Sequence, residues 1–270
     1  MQQQLLPIPD VNKIVAVASG KGGVGKTTVT VNLALALAAM GARVGLFDAD
    51  IYGPNVPLML GVRRSKPAGG WLPVGRAENN PYIPALERYG LRVMSIGLLL
   101  GDSEAVMPDA RFAGLIVTRT LRDVLWGELD YLMIDLPPGT GEPQQTLVST
   151  VPLSGVVVVT TPQDLSLMDA SRSLGLYRKA EVPVLGVVEN MSYLICPDCG
   201  KRIEPFHRSE RHWTIQDREL EVLGQIPMDA DISRGIDAGH PLVQNAPDAP
   251  EAAIFREIAA RVVSRLESQK

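Results

Sequence analysis

The residues best placed to do chemistry lie in one short run. Gly20-Lys21-Gly22-Gly23-Val24-Gly25-Lys26-Thr27 satisfies G-x-x-x-x-G-K-[ST], and Thr28 follows it. The run comes after an apolar β-branched stretch and opens a helical one, the context of a phosphate-binding P-loop. Glycine lets successive N–H groups, those of Lys21 and Val24 included, curl around phosphate oxygens without Cβ clashes. The dipole of the following helix favours the same anion. Lys26 is expected to reach the β/γ-phosphates, the Thr27 hydroxyl to ligate Mg²⁺, and Thr28 to contact the α-phosphate.

Acidic residues follow at strand ends. Phe47-Asp48-Ala49-Asp50 closes one apolar run, and Leu132-Met133-Ile134-Asp135 closes another. Ligands of open α/β sheets sit beyond the carboxyl ends of the strands, so these carboxylates are expected near the phosphates. An aspartate there orients water or holds Mg²⁺. Leu136-Pro-Pro-Gly-Thr-Gly141 should form a stiff turn that brings Gly139 near the γ-phosphate.

The chain has two cysteines, in Cys196-Pro-Asp-Cys199-Gly200. Two sulfurs separated by two residues grip one metal, and the glycine relieves the turn. A redox pair normally opens a helix next to a βαβ unit. This pair follows Met191-Ser-Tyr in a loop instead.

The elements that must position these groups alternate. Strands are expected at Lys13–Ala18, Arg43–Phe47, Tyr131–Asp135, Val156–Thr161 and Val184–Val188, and helices at Lys26–Ala39 and Leu165–Lys179. Gly41 ends the first helix. Buried apolar strands separated by helices predict an α/β fold, a P-loop NTPase with a mostly parallel central sheet flanked by helices on both faces. Residues 61–84, with Pro67, Gly69, Gly70, Pro73, Gly75, Pro81 and Pro84, read as an insertion or hairpin-bearing loop. The cysteines lie in a second irregular region at about 191–217, and a final helix is expected at about 250–267. The expectation is one domain over 1–270.

Composition narrows the class. The chain has 270 residues, 26 Lys+Arg, 30 Asp+Glu and a net charge of −4. Mild acidity argues against a broad nucleic-acid footprint. No apolar run reaches the ~18–20 residues that span a bilayer. Residues 1–12 lack the pattern of a secretory signal. A cytoplasmic protein is therefore expected, with its thiols reduced. Ile254, Phe255, Ile258, Val262 and Leu266 make an apolar helical stripe, expected to pack on the core.

Taken together, SGKGGVGKTT (19–28), DADIYGPNVP (48–57), WGELDYLMIDLPPGTGE (126–142), TTPQDLSLMDA (160–170) and VVENMSYLICPDCG (187–200) resemble the Mrp/ApbC family of iron–sulfur cluster carrier ATPases. That family belongs to the deviant Walker A class of MinD, ParA, arsenite-pump and nitrogenase-iron-protein ATPases. The resemblance implies an ATPase that uses ATP and Mg²⁺ to control a [4Fe-4S] cluster. It implies that Lys21 crosses a dimer interface to the partner's nucleotide, that Asp50 aligns water, and that Asp48 and Asp135 serve the magnesium shell. It implies that Asn190 reads the adenine and that Pro227 packs on it. A [4Fe-4S] cluster takes four thiolates, so two chains would supply Cys196 and Cys199 twice. The implied partners are a second copy, apo iron–sulfur recipients and a cluster scaffold or donor, with neither nucleic acid nor stable membrane association.

The sequence departs from the family pattern in places. Met107-Pro-Asp-Ala-Arg-Phe-Ala-Gly114 replaces a Trp-Arg-Gly-Pro segment, and Glu142 stands where an aspartate is usual. Phe206-His-Arg-Ser-Glu-Arg-His212 replaces a glycine-rich stretch, and the small N-terminal domain that many bacterial members carry is not expected here. His207 and His212 leave a zinc site with the cysteines open. A MinD/ParA-like positioning ATPase with a structural zinc knuckle is the alternative function.

Overall fold

The computed structural model describes the chain apart from residues 1–4, 6, 67–82, 100–109, 164–172, 207–213, 216–217 and 270. The proline- and glycine-rich stretch 67–82, His207 and His212 lie outside the described residues, as do 107–109 and the first part of the helix expected at 165–179.

Eight strands form the main sheet: β1 (Val11–Ala18), β2 (Val44–Asp48), β4 (Leu86–Arg88), β5 (Leu91–Ser95), β7 (Leu129–Asp135), β8 (Gly155–Thr160), β9 (Val184–Glu189) and β14 (Val222–Gln225). Their order is β14-β9-β8-β1-β7-β2-β5-β4. Every pairing is parallel except β4 with β5, which leaves one antiparallel edge. Short strands β3 (Ile83–Pro84) and β6 (Val124–Leu125) pair separately, β10 (Leu194–Ile195) pairs with β11 (Arg202–Ile203) around the cysteines, and β12 (Thr214–Ile215) pairs with β13 (Arg218–Glu219).

Alternation along the strands builds two cores. Val15, Val17, Leu46, Met133, Val157 and Val159 face one side. Ile14, Ala16, Phe47, Leu132, Ile134 and Val158 face the other. With both faces covered, the strands read as continuous apolar runs. On the first face lie α1 (Lys26–Ala39), the one-turn α2 (Val56–Met59), α7 (Ala230–Asp237), α8 (Leu242–Asn245) and α9 (Pro250–Glu267). On the second lie α4 (Ala110–Asp123) and residues 173–179, which form α6; α5 (Glu142–Thr150) packs there with α4. A single helical turn, α3 (Ile96–Leu99), follows β5.

The helices at 26–39 and 250–267 have the bounds expected from sequence. Gly25 at φ 78° precedes α1, and Gly41 at φ 91° follows it, both in the left-handed region that glycine tolerates. Pro250 opens α9, where its missing N–H costs nothing. The α9 stripe of Phe255, Ile258, Ala259, Val262 and Leu266 is buried against α1 and β14. None of the described helices is long and apolar enough to cross a membrane.

Candidate functional site

Strand order creates the site. β7 enters the sheet between β1 and β2, with Val17 paired to Asp135 on one side and Asp48 paired to Asp135 on the other. The carboxyl end of β1 runs directly into the glycine loop. The two carboxylates expected from separate motifs therefore end side by side, next to that loop.

Asp135 is fully buried and richly bonded. Lys26 Nζ lies 2.7 Å from Oδ2, with Lys26 only 6% exposed. Thr27 Oγ1 donates to the same oxygen at 2.7 Å, and Thr30 Oγ1 donates to Oδ1 at 2.7 Å. Thr30 was not singled out from the sequence. It lies four residues after Lys26, one helical turn on, so helix periodicity was the available signal.

Asp48 points away from this trio. Its Oδ1 accepts from Asp50 N at 3.1 Å, and its Oδ2 accepts from Val56 N at 3.2 Å and Ser95 Oγ at 3.0 Å. Burial first, and the charge of Asp135 second, push its carboxyl up to about 8, with Lys26 pulling the other way. Ser95 ends β5, and nothing local in the sequence marks it. Asp48 thus pins the loop from Asp50 to Val56 to the sheet. Asp50 itself lines the cleft and accepts from Gly53 N at 3.3 Å, and burial raises its carboxyl as well.

The cleft over the glycine loop measures about 220 Å³ and is walled by Lys21, Gly22, Gly23, Lys26, Thr27, Thr28, Asp50 and Pro138, among others. Gly20 begins the loop, and the Gly139 N–H donates to Ser19 O at 3.0 Å, fastening the Pro-Gly turn to its start. Lys21 Nζ donates to Gln163 Oε1 at 3.4 Å. A larger cleft, about 400 Å³, opens at the opposite ends of β2, β5 and β7. Its Arg43 is held by Asp130 and Glu128, and its Arg92 by the Trp126 carbonyl. Volume does not decide between the two: only the smaller cleft combines loop amides, a helix N-terminus, a lysine and carboxylates.

The residues expected at the adenine end stand behind the loop. Asn190 is buried; its Nδ2 donates to Val24 O at 2.8 Å and its N–H to Thr160 O at 2.7 Å. Pro227 is buried in the segment whose neighbours bond Ser192 and Tyr193.

The cysteines occupy the turn of a two-residue hairpin, β10 (Leu194–Ile195) with β11 (Arg202–Ile203). Cys196 N donates to Lys201 O, and Gly200 N donates to Cys196 O, each at 2.9 Å, with Gly200 at φ 70°. Both thiols are free, and Cys199 is exposed. The backbone N–H groups of Cys199 and then Asp198 point at the Cys196 sulfur and, with the Cys199 side chain, hold its thiol below the ordinary range. That favours the thiolate, the form that binds metal. Among the described residues, no group of three or more His, Cys, Asp or Glu stands ready to hold a metal.

A parallel α/β sheet with this loop, lysine and strand-end aspartate defines a P-loop NTPase, and the class is that of ATPases. Comparison with known proteins narrows it. Residues 10–263 match the model of the ParA family described as NUBPL iron-transfer P-loop NTPase, and the chain belongs to that family. It is 42% identical over 259 residues to the iron-sulfur cluster carrier protein of Escherichia coli, covering 96% of this chain and 68% of that protein. It is 41% identical over 264 residues to the iron-sulfur cluster transfer protein NUBPL of Mus musculus, covering 97% and 80%. A nucleotide-binding protein from Archaeoglobus fulgidus, solved in complex with ADP, superposes with a TM-score of 0.73 at 34% identity, covering 91% of this chain and 92% of that one.

Proposed function

We propose that this chain is an ATP-dependent iron–sulfur cluster carrier. It forms one domain, works as a homodimer in the cytoplasm, and receives a [4Fe-4S] cluster from a scaffold or donor and passes it to apo-proteins. The observation that supports this most is the pairing, in one chain, of a P-loop with a hairpin turn that holds two free thiols, Cys196 partly exposed and Cys199 exposed. Two thiolates are half of what a [4Fe-4S] cluster takes, and a second copy supplies the rest.

In this reading the amides of Gly20 to Gly25 cradle the phosphates, and Lys26 turns from Asp135 toward the β/γ-phosphates. Thr28 contacts the α-phosphate. Thr27 and Asp135, already 2.7 Å apart, would hold Mg²⁺, while Asp48 fastens the loop that carries Asp50. Mg²⁺ supplies charge neutralisation at the phosphate oxygens. Lys21 leaves Gln163 and reaches the partner's nucleotide. Asp50 aligns the water whose oxygen attacks the γ-phosphorus as the bond to the bridging oxygen breaks. Asn190 and Pro227 flank the adenine.

Iron, sulfide and zinc per protomer, measured on anaerobically purified protein together with its solution mass, test the reading. About two irons and two sulfides per chain in a dimer, lost in Cys196→Ala, is the expected outcome, because each chain gives half the ligands. Stoichiometric zinc, with no iron taken up on reconstitution, would overturn it in favour of a structural knuckle.

A further inference from the structure

The cysteine hairpin is tied to the P-loop by two routes. The first is the chain itself. Asn190, bonded to Val24 O, stands six residues before Cys196. Between them, Ser192 N donates to Ile226 O at 2.9 Å and Met228 N to Tyr193 O at 2.6 Å.

The second route starts on the far strand of the hairpin. The Arg202 guanidinium lies over the Tyr193 ring, 3.8 Å from its centroid. Its Nη2 donates to Gln225 Oε1 at 3.0 Å and approaches Glu204 Oε1 at 3.4 Å. Gln225 Nε2 in turn donates to Glu189 Oε2 at 2.7 Å, and Glu189 is 4% exposed at the end of β9. Both strands of the hairpin thus end on the adjacent pair Glu189 and Asn190, and Asn190 fills the space behind Gly25.

Two-residue strands cannot hold a fixed orientation by themselves. A hairpin tied through residues 190–193 alone would swing about that segment. Movement at Val24 would then not be delivered to the sulfurs.

We propose that Arg202 and Gln225 are positioning residues, a brace that makes the cysteine turn follow the nucleotide state of the P-loop. The inference rests on the carrier reading for its purpose, but the brace itself concerns only the P-loop and the thiols. Gln225 bonds one partner on each side, so cutting the brace at either residue has the same consequence.

The test is the alkylation rate of Cys196 and Cys199 by iodoacetamide in the cluster-free full-length protein, with and without Mg-ATP, read by mass spectrometry. Wild type should show a rate ratio of about fivefold or more, the lower range of coupling between linked sites. Gln225→Ala and Arg202→Met should each bring the ratio close to 1, with ATP hydrolysis and melting temperature kept. Their combination should do no more, because they interrupt one relay. Arg202→Lys, which keeps a cation over Tyr193 and a donor for Gln225, should restore part of the ratio. A wild-type ratio of 1, variants that keep the wild-type ratio, additive effects, or a ratio that falls only together with melting temperature would each overturn the brace. If the ratio behaves as expected but the protein takes up no iron, the brace stands and the carrier reading fails.

Discussion

Asp48 and Asp135 stand opposite each other at the ends of neighbouring parallel strands, yet they face different partners. Asp135 meets the Lys26 ammonium and two threonine hydroxyls. Asp48 meets a serine hydroxyl and two backbone amides. One carboxylate is placed to serve a cation, and the other holds the loop that carries Asp50. Two buried carboxylates this close disfavour double ionisation, and the cost falls on the one without the lysine.

That asymmetry sets a pH dependence. The Asp48 carboxyl rises from 3.8 to about 8 on folding, so the folded state holds its proton where the unfolded chain has lost it. Its contribution to the stability of nucleotide-free protein is therefore full at low pH and is lost as pH rises through that window, levelling off above about 8. Asp48→Asn, which cannot ionise, should flatten this part of the slope. Urea midpoints of both proteins between pH values of about 5 and 9 check it. An unchanged slope in the variant would contradict the assignment.

Gly25 and Gly23 separate strain from space. Both have positive φ, 78° and 80°. A Cβ on Gly25 would lie 2.2 Å from Asn190 Nδ2, whereas one on Gly23 would meet nothing within 4 Å. Gly23→Ala should cost about 1 kcal/mol from backbone strain alone. Gly25→Ala should cost about 2–4 kcal/mol and displace Asn190. Thermal unfolding, with ADP titration by calorimetry, distinguishes the two; equal losses would mean the Asn190 contact carries no weight.

The two lysines of the loop should behave differently. Lys26→Ala leaves a buried carboxylate without its cation, a change that costs about 3–5 kcal/mol. It should also reduce ATP hydrolysis by about a hundredfold or more. Lys21 is partly exposed, and its ammonium donates to Gln163 Oε1 at a long 3.4 Å. Lys21→Ala should leave stability within about 0.5 kcal/mol but abolish ATP-dependent dimerisation. Chemical denaturation and sedimentation velocity with Mg-ATP read both. A dimer that persists in Lys21→Ala would remove the lysine from the interface.

The stripe on α9 offers a packing test. Phe255 is 0% exposed between α1 and the sheet. Phe255→Ala should cost about 3–5 kcal/mol, the transfer and cavity terms of a buried aromatic. Wild-type protein should not sediment with anionic liposomes in the presence of Mg-ATP. A small loss of stability together with liposome binding would instead make the stripe a membrane face.

Much of the fold was legible before any coordinates. The helices at 26–39 and 250–267, the five strand cores and the parallel sheet all follow from apolar runs and glycine punctuation. Three parts were not. The antiparallel edge β4–β5 is short and borders residues rich in proline and glycine. Helices α4 and α5 lie in stretches read chiefly for their motifs. The hairpin β10–β11 has strands of two residues, too brief for any period to show.

The P-loop and the cysteine turn are local structures. Each is complete within about ten residues, so spacing alone marks which amides are able to face a phosphate and which sulfurs are able to share a metal. Sequence by itself therefore determined the local form of both. The relations between the two are not local. Which aspartate faces Lys26 depends on β7 entering between β1 and β2, a choice made by residues more than eighty positions apart. That Asn190 fits behind Gly25, and that Arg202 reaches Glu189 through Gln225, depends on β9 and β14 packing side by side at the far edge. Sheet pairing couples distant segments through backbone hydrogen bonds that any apolar strand can make, so only the folded chain decides which strands meet.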